Sequence, residues 1–180
     1  MRRGGGGLAV DVEGYRDYVG ARLESLRRTA YLLCGDWHTA DDLVSAALVK
    51  LLRHWSRVSA MENPDAYVRR MLLRVWLDER RRPWRREAAW AEVPDHPVSA
   101  SGTDGAADRL TILALLAELP PRRRAVLVLR YFCDLSVEET ARELGCTPGT
   151  VKSQSARAIE TLRGRLLGVP SPTEEVRTNG

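Results

Sequence analysis

The sequence predicts an all-α protein: two small helical domains joined by a flexible linker, the second containing a helix-turn-helix. Three observations carry that expectation. Apolar residues recur at three- and four-residue steps through most of the 180 residues. No stretch sustains the two-residue alternation of a strand, and VLVLRYF, rich in β-formers but lying between Pro121 and Ser136, suits a buried helix better. Residues 134–163 carry two helical patterns hinged at a glycine, with a capping residue before each.

Residues 1–14 read as a flexible leader, because a glycine run cannot offset the entropy of ordering it. From Tyr15 the helical period begins: Tyr18, Val19, Leu23, Leu26, Ala30 and Leu33 lie at helical steps, and Gly35 is a natural stop. A second helix is expected from a Thr39 cap, with Asp41 and Asp42 at its positive end, to about Trp55. Asn63-Pro64-Asp65 opens a third, whose face is Tyr67, Val68, Met71, Leu72, Val75 and Trp76 and which Pro83 interrupts. The first domain thus spans 15–87. Residues 88–108 are poor in bulky apolar side chains and form the linker, with Glu92, Asp95, Asp104 and Asp108 between arginine clusters at 80–86 and 122–124. A four-helix domain follows over 109–167, and residues 168–180 read as a fraying tail.

Within that second domain, Ser136 caps a helix and Glu139, three residues on, completes a capping box, with Val137, Ala141 and Leu144 facing inward. Gly145 supplies the left-handed turn. Thr147 caps the next helix, Pro148 fits its first turn, and Val151, Ala158, Ile159 and Leu162 share one face. The opposite face carries Lys152, Ser153, Gln154 and Arg157. A major groove accepts a helix that offers donors to base edges and cations to phosphates, so this face is the candidate DNA reader.

Composition narrows the alternatives. The formal net charge is +4 and the pI about 9.2, with the charge concentrated in local clusters such as ERRRPWRRE. Hydrophobic residues make up 44% of the chain, yet no apolar run reaches bilayer length and the start has no signal-peptide core, so membrane insertion is not expected and a cytoplasmic location is. Cys34, Cys133 and Cys146 are too few and too far apart for a disulfide framework or a zinc knuckle and read as reduced, packed thiols.

The acidic-capped helix YLLCGDWHTADDLV, the Trp- and Arg-rich third helix ending in RRPWRRE, and LPPRRRAVLVLRY followed by GTVKSQSARA together resemble bacterial RNA polymerase sigma factors of the extracytoplasmic-function (ECF) class, in particular actinobacterial members. The resemblance covers about residues 15–167 and implies no catalysis, no cofactor and no metal. It implies a −35 promoter element read as duplex by Lys152, Ser153, Gln154, Ala156 and Arg157, with Thr147 and Thr150 near phosphates. It implies a −10 element opened and read by the third helix, through Tyr67, Arg70, Arg74, Asp78, Arg81 and Arg82. Tyr67, Trp76 and Trp84 could supply stacking surface for an unstacked base, although a ring inside a helix, as Trp76 is, more often belongs to a core.

The same resemblance implies partners: promoter DNA and core RNA polymerase, gripped through the clamp helices of its largest subunit and the flap of its second, with an anti-sigma factor as a possible restraint. Asp41, Asp42, Leu43, Val44, Leu48 and Leu51 match the clamp-binding pattern. The chain departs from the family in two places: in the clamp-binding segment Ser45-Ala46 stand where many relatives have Gln-Glu or Gln-Thr, and in the −10 helix Arg74 stands where many have Asn. The acidic linker would thread the polymerase near the RNA exit path, and the two modules, loosely tethered, would take a fixed spacing only on the enzyme. The alternatives are a helix-turn-helix regulator that is not a polymerase subunit, which would need a sensor domain that residues 15–82 do not resemble, and a metal enzyme built on Cys34, His38, Asp41 and Asp42, whose adjacent aspartates cannot share a helical face.

Overall fold

The computed structural model describes residues 11–81 and 105–167. Among them every regular element is helical: α1 (Val12–Cys34), α2 (Trp37–Val58), α3 (Pro64–Arg81), α4 (Gly105–Glu118), α5 (Pro121–Leu127) running into a π-helical turn (Val128–Phe132), α6 (Val137–Leu144) and α7 (Pro148–Leu167). Most of the expected linker, the tail, Arg82 and Trp84 lie outside the described residues.

Caps place the helix starts earlier than the apolar pattern alone suggests. The Asp11 carboxylate accepts from the Gly14 amide at 2.9 Å, so α1 begins at Val12 rather than Tyr15. Asp36, not Thr39, caps α2: the Thr39 amide donates to the Asp36 carboxylate at 2.7 Å, and α2 runs on to Val58. Asn63 accepts from the Ala66 amide ahead of Pro64, as a helix start requires. Gly35 closes α1 with φ of 85°, a left-handed conformation that costs a residue without Cβ least.

α1, α2 and α3 pack into one bundle. The buried positions of α2 (Ala40, Leu43, Val44, Ala47, Leu51, Trp55, Val58) follow three- and four-residue steps and face Ala30 and Leu33 of α1 and Val68, Leu72 and Trp76 of α3. Trp76 is core, 2% exposed. The second half has apolar clusters of its own, Leu116, Leu119, Leu127 and Ala158 in one and Val126, Ala141 and Val151 in another.

In this structure the two halves pack against each other along a seam. Ala125, Val128, Leu129 and Leu135 of the second half complete the core of the first. The π-helical turn makes this possible. The Cys133 amide reaches back to the Val128 carbonyl at 3.0 Å, five residues away, and the Leu135 amide to Leu129. The widened turn keeps Val128 and Leu129 inside while Tyr131 and Phe132 stand outside, 57% and 49% exposed.

The capping box at α6 is complete: the Glu139 amide donates to the Ser136 hydroxyl at 3.1 Å, and the Ser136 amide donates to the Glu139 carboxylate at 2.7 Å. That backbone donor holds the Glu139 carboxyl below its ordinary range. A carboxylate with a lowered folded-state pKa contributes stability above its ordinary value, and the contribution fades as the pH falls below about 4. Ser136→Ala is expected to cost about 1 kcal/mol in urea unfolding at neutral pH. Glu139→Gln should flatten the loss of stability between roughly pH 5 and pH 3; an unchanged acid limb would refute the assignment.

Candidate nucleic-acid interface

α7 owes its position to its buried side. Val151 packs with Val126 and Ala141, and Ala158 with Leu116, Leu119 and Leu127, which turns the opposite side to solvent. Thr147 caps the helix, its hydroxyl accepting from the Thr150 amide at 3.1 Å, and the two threonine hydroxyls lie 2.9 Å apart. The Ser153 hydroxyl donates to the Thr150 carbonyl at 3.0 Å. The Ser153 hydroxyl proton and one of the two threonine hydroxyl protons are therefore committed within the helix start, which leaves the other threonine hydroxyl free to donate and all three oxygens with lone pairs to offer. Lys152, Ala156 and Arg157 are exposed, and Gln154 is half-exposed. This face combines two cations, an amide and a methyl surface, the chemistry that phosphates, base edges and a thymine methyl accept.

α3 presents a second cationic line. Arg70, Arg74, Asp78 and Arg81 fall at steps of four, four and three residues; Arg74, Asp78 and Arg81 are exposed, whereas Arg70 is half-buried with its Nε enclosed and without a hydrogen-bond partner. Tyr67 is half-buried: its hydroxyl accepts from Arg57 at 2.9 Å, and the Arg57 guanidinium also sits 5.7 Å from the ring centre. Arg57, a position the sequence reading did not single out, belongs to this surface.

α2 requires a correction. Leu43, Val44 and Leu51, expected to face a partner, are 2%, 2% and 0% exposed and form the bundle core, so nothing outside the chain reaches them. Leu48 is half-buried, and its carbonyl accepts from the Tyr15 hydroxyl at 3.0 Å. Asp41 is engaged: Arg27 binds it through Nε at 2.5 Å and Nη2 at 3.0 Å, and holds its carboxyl below the usual carboxylate range. Arg27 in turn lies over Trp37, which stacks on Tyr31 at 4.0 Å. Asp42 is open to solvent. The exposed side of α2 instead includes Asp42, Ser45, Ala46, Val49, Lys50, Leu52 and Arg53, with Val49 56% and Leu52 39% exposed. Val49 and Leu52 lie off the buried stripe, and that offset was the signal available in the sequence.

The Cys34 thiol donates to the Asp36 carbonyl, and burial pushes it up to about 11, so it is a packed thiol rather than a nucleophile. Among the described residues no three His, Cys, Asp or Glu side chains converge on a possible metal site, and no helix is long and apolar enough to cross a membrane.

Known proteins share both halves. Residues 19–86 match the family model described as Sigma-70 region 2, and residues 109–162 match Sigma-70, region 4. The chain is 36% identical over 157 residues to an RNA polymerase sigma-E factor of Streptomyces coelicolor, covering 85% of this chain and 86% of that one. It is 30% identical over 175 residues to the ECF RNA polymerase sigma factor SigL of Mycobacterium tuberculosis, covering 94% and 99%. The fold is also that of the sigma factor RpoE solved with the anti-sigma factor NepR from Bartonella quintana (TM-score 0.69, 24% identity, 87% and 98% covered) and of CnrH solved with the cytosolic domain of CnrY (0.60, 21%, 88% and 90%). With one helical half matching each promoter-reading region in sequence, and relatives alike over most of their length, the chain belongs to the sigma-70 family as an RNA polymerase sigma factor of the ECF class.

Proposed function

We propose that this sigma factor divides promoter reading between α7 and α3 and docks on polymerase through the outer face of α2. The observation that carries the proposal is the set of exposed faces: α7 turns Lys152, Ala156 and Arg157 outward, α3 turns Arg74, Asp78 and Arg81 outward, and α2 turns Asp42, Val49 and Leu52 outward. At the −35 element Lys152 and Arg157 neutralise phosphates or reach guanine edges, Gln154 offers an amide to adenine, and Ala156 packs on a thymine methyl. Thr147, Thr150 and Ser153 accept or donate at the backbone from the helix start, where the dipole favours an anion.

At the −10 element the α3 arginines track the single strand, with Arg57 and Tyr67 extending the surface. Arg74 cannot accept a hydrogen bond, so base choice there moves towards a guanine edge or plain backbone attraction. The protein supplies sequence choice and not bond chemistry, and it acts where polymerase and chromosome are, in the cytoplasm.

On α2, the exposed Val49 and Leu52, with Asp42 about two turns earlier and Lys50 and Arg53 next to them, form an apolar strip with charges of both signs suited to a helical partner, the clamp helices of the largest subunit. Ser45 and Ala46 lie on this strip, so the departure from related sequences changes the contact surface without disturbing the core. Transcription by purified core polymerase on a promoter library tests docking and both elements together: selective initiation that depends on this chain is expected, and initiation no more selective than with core alone would overturn the proposal.

Two finer outcomes follow from these surfaces. Replacing both Lys152 and Arg157 with Ala should weaken −35 duplex binding and lower the slope of log affinity against log salt by about 2. An unaltered slope would show that the two cations do not touch phosphate. Val49→Glu with Leu52→Glu should reduce polymerase affinity while leaving the thermal transition in place, whereas Leu43→Ala should cost about 2–5 kcal/mol of stability. Loss of folding in the Val49/Leu52 variant, or loss of binding without destabilisation in Leu43→Ala, would return the docking role to the buried stripe.

A further inference from the structure

The exposed row on α2 does not stop at Asp42. Trp37, Asp41, Ser45 and Val49 follow one another at four-residue steps, the spacing that sets side chains one above the next along a helix, here over about 18 Å. Trp37, the first residue of α2, is 37% exposed. Beside it lies Arg27 of α1. Trp and Arg are the residues that carry a large share of the energy where proteins meet.

Their setting is fixed from several sides. The Trp37 ring stacks on Tyr31, centroids 4.0 Å apart and planes 8° from parallel, and the Arg27 guanidinium lies 5.5 Å from the indole centre. Asp41 takes Nε and Nη2 of that guanidinium, which leaves Nη1, 3.8 Å from Glu24 and beyond hydrogen-bond reach of it, with donors to offer outside the chain. The Arg27 and Asp41 side chains are 36% and 47% exposed, and an ion pair so open adds little to folding. It does spend in advance the side-chain entropy that binding a partner would otherwise cost. Apolar surface follows the same path. The Tyr15 hydroxyl on the Leu48 carbonyl and Arg27 on Asp41 lay α1 alongside α2, and between those two ties Leu23, one turn before Arg27 on the same side of α1, is 38% exposed.

We propose that the polymerase-docking surface crosses from α2 onto α1, with Arg27 and Trp37 as a preformed anchor for the same clamp helices, and that Asp41 positions Arg27 instead of touching polymerase. The proposal rests on the assignment of the exposed side of α2 to docking. The neighbouring aspartates then divide their work. Asp42, with its side chain 71% exposed, offers its carboxylate to a cation of the partner, whereas the Asp41 carboxylate is taken up by Arg27. On the partner the anchor fits an acceptor oxygen, a carboxylate or a carbonyl, for Nη1, flanked by an aliphatic side chain that covers the open part of the indole.

The test titrates the full chain against purified core polymerase, with the thermal transition and −35 duplex affinity as checks that each variant is folded. Arg27→Gln and Trp37→Ala should each weaken polymerase binding about tenfold and leave both checks unchanged. Asp41→Asn should weaken it too, and the double variant Arg27→Gln with Asp41→Asn should bind no worse than Arg27→Gln alone, because the two act as one unit. Asp42→Asn, by contrast, should multiply the loss seen in Arg27→Gln. Losses that multiply for Arg27 and Asp41 would overturn the positioning role of Asp41. Wild-type affinity in Arg27→Gln and Trp37→Ala, with weak binding in the Val49→Glu, Leu52→Glu variant, would overturn the extension onto α1 and leave docking through α2 standing. Wild-type affinity in that last variant as well would sink the docking assignment itself. If Trp37→Ala does not fold, the Arg27 and Asp41 variants decide alone, since their exposed pair contributes little to folding.

Discussion

A guanidinium whose acceptors among the described residues are two backbone carbonyls sits where the two halves of this protein join. Arg124 donates to the Leu33 carbonyl at the end of α1 and to the Ala117 carbonyl at the end of α4, at 2.8 and 2.5 Å. Both are carbonyls that a terminating helix leaves without an internal partner, and helix C-termini carry partial negative charge. Two helix ends thus do the work of a counter-ion. Burial, with Arg80 as a second cause, lowers the guanidinium to about 10, which leaves it charged at neutral pH. Moving either helix end would strand a buried charge, so α1, α4 and α5 are fixed relative to one another, and with them the placement of the helix-turn-helix against the first bundle.

What was legible in the sequence was local. The Ser136–Glu139 box, the left-handed Gly145 and the Thr147 cap are each written within four residues, and the structure contains all three where the spacing put them. The buried stripe of α2 was equally legible, yet the likeness to related proteins drew Leu43, Val44 and Leu51 to a partner surface. The two sources conflicted because α2 carries apolar residues on both sides: the stripe inside, Val49 and Leu52 outside. A strict helical count separates them, and a motif does not.

The seam was not legible, for a physical reason. Arg69 and Glu143 are 74 residues apart and Arg124 and Leu33 are 91 apart, and no short-range pattern marks a side chain whose partner is that distant. Arg124 stood in a run of three arginines that read as one cationic cluster, although only its first two members face outward to any extent, Arg122 fully and Arg123 partly. The π-helical turn was equally hidden. VLVLRYF reads as an uninterrupted buried helix, and only the Cys133 and Leu135 amides, reaching back to Val128 and Leu129, reveal that the turn is wide.

The seam differs from the interior of the first bundle in carrying polar as well as apolar contacts. Inside the bundle, α2 and α3 meet through Leu, Val and Trp, whose burial is non-directional and favourable wherever it occurs. Across the seam a share of the contact is polar: a bidentate ion pair, an arginine on helix ends, a hydroxyl facing a thiol. Burial raises the Glu143 carboxyl above its ordinary range, whereas for Arg69 burial lowers the guanidinium and the hydrogen bond to Glu143 raises it by more, so the pair's cost and gain are closely opposed and it specifies an arrangement more than it adds cohesion. Such contacts select geometry more than they add cohesion. The halves are thus joined by both kinds of contact, with Ala125, Val128, Leu129 and Leu135 supplying cohesion while the polar pairs fix the register in which the second half meets the first bundle.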